Sequence, residues 1–296
     1  MNEILTPPRP SEKIQFQLWA YKIKHWIRHG LAELICLTVA LVCLFPLVWM
    51  VASSLKTQST VFSDMRLWVS HPHWSNYYEA WTRGRFDQYF FNSLFYTTVV
   101  VFGVILIASM AAYAFSRLQF PGRNVMFIVI ISTMMIPIPG SFIALYVVLN
   151  KLHLIDTRLG YILPQINGGL ALGVFLLKTF FDKLPPDLED AARIDGCNKF
   201  QVYWHVAMPL AKPAVAVLAV FNALAVWNEY LLAMLVLSSR SLMPLQRGLM
   251  VFQGSHITEY PLLMAGIAIS IVPIVSLYFV MQRYIVAGIT AGALKM

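Results

Sequence analysis

Charge is scarce in this chain. Its 296 residues include 22 Lys and Arg and 14 Asp and Glu, 12% in all, against 58% hydrophobic residues. With a mean hydropathy of +0.66, it lacks the polar residues to clothe a water-soluble globule, which leaves an integral membrane protein. Cysteine is scarcer still, at three. No C-x-x-C, zinc spacing or haem signature occurs. Cys36 and Cys43 share a face of one apolar run but sit about two turns apart, roughly 10 Å, beyond disulfide reach. They are expected as small core residues, with Cys197 in a reducing cytoplasm. His25, His29 and the His71-Pro72-His73 pair have no acidic or thiol company, so no metal site is expected. Also missing are H-E-x-x-H, a paired nucleophile and base, and paired carboxylates, so the chain does not read as an enzyme. No G-x-x-x-x-G-K-[ST] loop is present, which removes that route to ATP.

What is present is long apolar runs. A helix needs about 20 mostly apolar residues to cross the hydrocarbon, and six stretches qualify: 31–54, 91–115, 125–149, 159–180, 208–237 and 262–285. Short alternating strands, the mark of a membrane barrel, are not the pattern. The expectation is an all-α bundle of six transmembrane helices. Basic residues precede the first run, but the run is too long for a signal-peptide core and five more follow. The stretch Ile14–His29 mixes aromatic and basic residues and suits an amphipathic helix on the inner leaflet, so residues 1–30 form a cytoplasmic N-terminal segment ahead of a membrane domain, 31–296.

Lys and Arg orient the bundle. With a cytoplasmic N-terminus, 14 of the 22 face inward, among them Lys22, Lys24, Arg28, Arg117, Arg123, Lys178, Lys183, Arg193 and Lys199. Both termini and the 181–207 loop are then cytoplasmic. The formal +8 charge is a topology signal and calls for no nucleic acid. Outside lie two sizeable loops, 55–90, rich in Trp and Tyr, and 238–261.

The 181–207 loop builds from local rules. Pro185-Pro186 ends the preceding element, Asp187 is positioned as an N-cap and Asp190 falls at N3. A short helix runs through Ala191, Ala192 and Ile194 and stops at Gly196, which tolerates a left-handed turn. Asn198 with Gln201 repeats the capping logic for a second helix through Phe200, Tyr203 and Trp204 toward the break at Pro209. Such helices in a loop point to a partner or to the bundle as the cover for their apolar residues.

Here the chain resembles a known family. Asp190-Ala191-Ala192, Gly196 and Val206-Ala207-Met208-Pro209 match in spacing the E-A-A, three residues, G, nine residues, I-x-L-P motif of permease subunits of bacterial ABC importers. Asp190 replaces Glu, Val206 replaces Ile and Met208 replaces Leu. Asn92-Ser93, Ala112–Arg117 leading to Phe120-Pro121-Gly122, Trp227-Asn228-Glu229-Tyr230 and Gly288–Lys295 are similar to the maltose-type carbohydrate permeases, nearest to their smaller, six-span subunit. The resemblance implies that the helix with Glu189, Asp190, Ala191, Ala192, Asp195 and Gly196, leading to Pro209, is a coupling helix seated in an ATP-hydrolysing subunit. It further implies a second permease, an ATPase dimer holding ATP and Mg, and an extracytoplasmic solute-binding protein that delivers an oligosaccharide or related sugar. This chain itself carries no cofactor. By the same resemblance, Gln253, Gly254, Ser255 and His256 reach toward the binding protein, and Thr290–Met296 contacts the ATPase dimer.

The substrate route is read from residues. Glu229 is the one carboxylate deep in a predicted span, where an ionisable group usually faces a cavity or a partner. Asn222 lies seven residues earlier on the same helical face, with Trp227, Asn228 and Tyr230 adjacent. That belt suits a sugar path, and equally suits hydrogen bonding between helices. Pro139 and Gly140 break the third span, which frees carbonyls that line a pathway or pack against a neighbour. Gly168, Gly169 and Gly173 are expected at close helix contacts. An ion-coupled secondary transporter is the alternative, but it would show several intramembrane ionisable groups and repeat symmetry. The reading is a permease subunit of an ABC sugar importer in the bacterial inner membrane, surrounded by lipid.

Overall fold

A computed structural model describes residues 12–83, 85–135, 138–254 and 258–293. Helix α1 (Glu12–Ser54) is continuous through 43 residues, about 65 Å at 1.5 Å per residue and twice the hydrocarbon thickness. No break therefore separates the N-terminal segment from the first span. Among the described residues four helices are long and apolar enough to cross a membrane: His29–Ser54 of α1, α3 (Phe86–Arg117), α6 (Arg158–Phe181) and Tyr260–Gln282 of α13 (Tyr260–Ala293). Between them lie the short helices α2 (Ser75–Arg83), α4 (Arg123–Ser132), α5 (Ile138–Lys151), α7 (Asp187–Ile194), α8 (Lys199–Val202), α9 (Met208–Leu210), α10 (Lys212–Trp227), α11 (Leu231–Val236) and α12 (Leu245–Gly248).

Two predicted spans are not single helices. The 125–149 run is α4 with a 3-10 turn at Thr133–Met135, then α5, each too short to cross alone. Pro139 sits in the first turn of α5, where a missing N–H is harmless. The 208–237 run bends instead: the segment Lys199–Leu210 meets Lys212–Trp227 at 76°, and Pro213, at the start of α10, suits a fresh helix start rather than a continuation. Helix α10 then ends at Trp227, and the chain resumes as α11 after Asn228–Tyr230.

The core lies where α3, α6 and α10 pack. Gly169 brings α6 so close to its neighbours that an added Cβ would stand 2.2 Å from Asn222 Oδ1 and 2.8 Å from Val104, and one at Gly173 would stand 2.7 Å from Ala108. Gly168, also expected at a contact, faces open space. In sequence the Gly168-Gly169 pair is one feature, but a rotation of about 100° per residue sends its two members to different faces. Cys36 and Cys43, expected in the core, lie exposed on α1, whose span buries only its last residues, Ala52, Ser53 and Ser54, against the rest of the chain. A second cluster, including Phe86, Tyr89, Trp227, Leu245, Leu249, Phe252 and Leu262, closes the end of the bundle away from α7.

Candidate functional site

The polar module after α6 is a helix, a glycine turn and a second helix. Asp187 is the first residue of α7 rather than its cap: Pro186 occupies the cap position without a side-chain bond, and its carbonyl accepts from Glu189 N at 2.9 Å and Asp190 N at 3.1 Å. Asp190 therefore stands one position past N3, and the expected capping bond does not form. Proline already provides a helix-compatible φ there, so the helix starts one residue early. Three acidic residues in the first turn, Asp187, Glu189 and Asp190, suit the positive end of the helix dipole. At the other end Gly196 has φ +89°. Cys197 N donates to Ala192 O and Gly196 N to Arg193 O, both at 3.0 Å, which is the paired closure of a Schellman motif. The next cap forms as expected: Asn198 Oδ1 accepts from Gln201 N at 2.9 Å and Gln201 Oε1 accepts from Asn198 N at 2.8 Å.

The module presents one face outward and anchors the other. Asp190, Ala191 and Asp195 are exposed, with Ile194 87% and Phe200 62% exposed and Trp204 half exposed. Glu189 and Ala192 are buried. Glu189 Oε1 lies 2.9 Å from Arg117 Nε at the end of α3. This contact is a charge pair rather than an aligned hydrogen bond, since neither atom has a partner of hydrogen-bonding geometry. Arg117 donates through its other arm to Phe181 O at 2.7 Å and Leu184 O at 2.6 Å. The second anchor is Tyr203, in the π-helical turn Tyr203–Ala207 before α9. Its ring is buried, its hydroxyl is 2.8 Å from Ser109 Oγ, and it packs on Tyr113 with ring centres 5.4 Å apart. Of the three aromatics Phe200, Tyr203 and Trp204, only Tyr203 turns inward. Pro209 lies inside α9.

Beside this junction, Asp182 accepts from Ser116 at 2.6 Å and Lys178 at 2.7 Å. Partial burial pushes its carboxyl up, but the Lys178 and Ser116 hydrogen bonds outweigh this and hold it below its ordinary value.

At the opposite end the candidate pathway residues divide. Asn222 is buried and donates to Leu218 O at 3.0 Å. Trp227 is buried and its indole N–H donates to Ser270 O at 3.0 Å, joining α10 to α13. Asn228 is exposed, with Gln246 Nε2 3.4 Å from its Oδ1. Glu229 and Tyr230 are half-buried. Glu229 lies in the break after α10 rather than within a helix, and its Oε1 accepts from Leu232 N at 2.8 Å, satisfying a first-turn donor of α11. Tyr161 of α6, which sequence reasoning passed over, is fully buried and borders this break with its Oη 3.5 Å from Glu229 O, and Gln165, one turn further along α6, donates through Nε2 to the Tyr161 carbonyl at 3.2 Å. Pro139 and Gly140 fall in the first turn of α5, apart in sequence from this group.

The loop toward the candidate binding-protein contact is fastened at several points. Asn92 Nδ2 donates to Ser241 O at 2.8 Å and Met243 O at 3.0 Å, and Ser93 Oγ accepts from Leu245 N at 2.7 Å. Asp156, with φ +57°, accepts from Ser238 N and Ser239 N at 2.8 Å each and from the Ser239 hydroxyl. The Ser239 hydroxyl foremost, with the two backbone donors, holds its carboxyl below the ordinary range. Gln253 bridges to Thr258, and Gln253 and Gly254 are exposed. Ser255 and His256 lie outside the described residues. Gln58 of the first long loop grips the returning side of the tip, donating to Thr258 O at 2.7 Å and accepting from Tyr260 N at 3.0 Å. Gln58 and Asp156 carry no motif. Only contacts between residues 82 to 202 positions apart in sequence reveal them.

Apolar helices, two of them interrupted, with a capped polar module docked at one end and a laced loop at the other, define a membrane-embedded permease. The chain belongs to the family described as binding-protein-dependent transport system inner membrane component, matched over residues 103–291. It is similar to a putative ABC transporter permease protein, ORF2, of Caldicellulosiruptor sp., 34% identical over 84% of this chain and 91% of the relative. It is also similar to the diacetylchitobiose uptake system permease protein NgcG of Streptomyces coelicolor, 30% identical over 86% of this chain and 85% of that one. The arabinooligosaccharides transport system permease protein AraQ of Halalkalibacterium halodurans is 32% identical over 87% and 93%. A solved bacterial ABC transporter involved in import of the acidic polysaccharide alginate contains a chain that superposes with TM-score 0.73 at 26% identity, covering 94% of this chain and 99% of that one.

Proposed function

We propose that this chain is the transmembrane permease subunit of an ATP-binding-cassette importer, moving oligosaccharides or related sugars into the cytoplasm by alternating access. The observation that carries the reading is the docked module, α7, Gly196 and α8, in a chain of this family. It holds an outward patch of Ile194, Phe200, Trp204 and Asp190 on a base seated by Glu189 and Tyr203. The family membership and relatives named for diacetylchitobiose and arabinooligosaccharide uptake support the importer and the sugar class.

In this reading the outward patch docks on an ATPase dimer, which binds ATP and Mg and supplies the energy. The end with α7 and both termini face the cytoplasm, in keeping with the excess of Lys and Arg there. A second permease completes the translocation path, and a solute-binding protein meets the 238–259 loop and its tip. Asn228, Glu229 and Tyr230, with Gln165, offer amide, carboxylate and phenol groups to a sugar passing the break. Asn222, Trp227 and the fully buried Tyr161 line the route only in a conformation that separates α10 from its neighbours. Transport is a population shift between two packings of the bundle.

Purification of the chain from its native membrane in mild detergent, with mass spectrometry of what accompanies it, tests the reading. Recovery of an ABC ATPase and a second permease is expected. Recovery of the chain alone or as a homo-oligomer overturns it in favour of an ion-coupled transporter.

A further inference from the structure

Ser109, Tyr113 and Arg117 stand at four-residue intervals on α3 and therefore on one face. Each meets the module or its anchorage. Ser109 takes the Tyr203 hydroxyl, Tyr113 packs against the rings of Tyr203 and Phe181, and Arg117 meets α7 and the end of α6 together. We infer that Arg117 is the positioning residue through which a displacement of α7 is delivered to α3 and α6. The inference rests on α7 being the ATPase contact.

The argument is one of geometry and charge. A guanidinium carries five donors in a fixed planar fork. Here Nε faces the Glu189 carboxylate while Nη2 donates both to the carbonyl of the last residue of α6 and to that of Leu184 in the connection to α7. Carbonyls at a helix C-terminus have no partner within the helix and carry partial negative charge. The guanidinium therefore lies among three acceptors on two elements while being covalently part of a third. Glu189 is only 7% exposed. Pulling α7 away would leave its charge and that of Arg117 unpaired in a poorly hydrated place, so the elements are held to move together. Arg193, 3.8 Å from the other Glu189 oxygen and half exposed, is a weaker substitute because water screens it.

Two other contacts separate transmission from assembly. Tyr203 with Ser109 seats the second half of the module without Arg117, and Ser116 with Asp182 ties α3 to α6 without it. Removing the guanidinium should leave α7 folded, the module attached and the bundle assembled, severing only the tie between α7 and the ends of α3 and α6.

The test uses the whole complex, reconstituted in vesicles with its second permease, ATPase and binding protein, measuring substrate uptake and ATP hydrolysis in the same preparation. Arg117→Ala and Glu189→Gln are each expected to keep the ATPase subunits and to keep hydrolysis. Substrate moved per ATP should fall about fivefold or more, the scale of one lost contact. Glu189→Gln conserves shape and leaves the two carbonyl bonds intact, so it guards against a folding defect in the alanine variant. Arg117→Lys, a cation without the fork, should fall between wild type and alanine. Unchanged uptake per ATP in the first two variants overturns the inference, as does loss of the ATPase from either one, which would make the pair a docking device. Absence of an ATPase from the wild-type complex would instead overturn the functional reading beneath it.

Discussion

Gly196 is where the polar module is most sharply testable. Its φ of +89° lies in a region that L side chains rarely adopt, and a Cβ built there meets nothing within 4 Å. The cost of substitution within this chain is therefore conformational and not steric. Alanine in a left-handed conformation costs about 1–2 kcal/mol, whereas asparagine visits it more readily. Proline is worse on two counts: its ring locks φ near −65°, and it removes the N–H that bonds Arg193 O at 3.0 Å. A loss of 1–2 kcal/mol shifts a local folding equilibrium about 5- to 30-fold. The expected order of damage is Asn, then Ala, then Val, then Pro. Hydrogen exchange across 187–207 in the purified chain measures the loosening, and the amount of ATPase that co-purifies measures its consequence. Two results would refute the reasoning. One is a proline variant that exchanges and binds as wild type does. The other is an asparagine variant as damaged as alanine, which would place the constraint in a partner's surface rather than in the glycine backbone.

Three further predictions follow the same reasoning. Asp156→Ala removes the acceptor for three donors at 238–239 and should lower stability by about 1 kcal/mol, a charged hydrogen-bond contribution discounted for partial exposure, read as a lower melting temperature in detergent. Because the Asp156 carboxyl is held below its ordinary value, its contribution is complete above the unfolded carboxylate pKa, about 3.9, and is lost as pH falls through the lower folded value. Acid sensitivity that persists unaltered in the alanine variant would count against the clamp. Asn228→Ala should raise the KM for sugar uptake with little change in melting temperature, while Trp227→Phe, which leaves Ser270 O without its donor, should lower the melting temperature; the reverse pattern would exchange their roles. Shortening the tip between Gln253 and Thr258 should reduce stimulation of the ATPase by the loaded binding protein and spare basal hydrolysis, and full stimulation would dismiss the tip as a contact.

Local rules made the module legible. The Asn198 and Gln201 capping box and the glycine turn depend on residues within a few positions of each other, and both formed as read. The Asp187 cap did not form, because Pro185-Pro186 competes for the same start and the outcome turns on a fraction of a helical turn. The apolar runs marked membrane helices, yet a run of hydropathy is blind to a bend. The break expected at Pro209 falls two residues later, near Ala211, and its 76° change of direction and the further break at Asn228–Tyr230 came only with the structure.

Composition and local pattern by themselves determined that this is a helical membrane protein with a capped polar module, since transfer of apolar residues to lipid and the satisfaction of helix ends are properties of short segments. Tertiary structure alone decided which polar residues face inward. Asp190 and Glu189 are neighbours in an acidic run, yet one is exposed and the other is buried against Arg117, 72 positions away. Arg117 reads in sequence as a basic residue marking the end of a span; its position among two helix ends and a buried carboxylate is set by the packing of α3 on α6, a long-range contact that no short window contains.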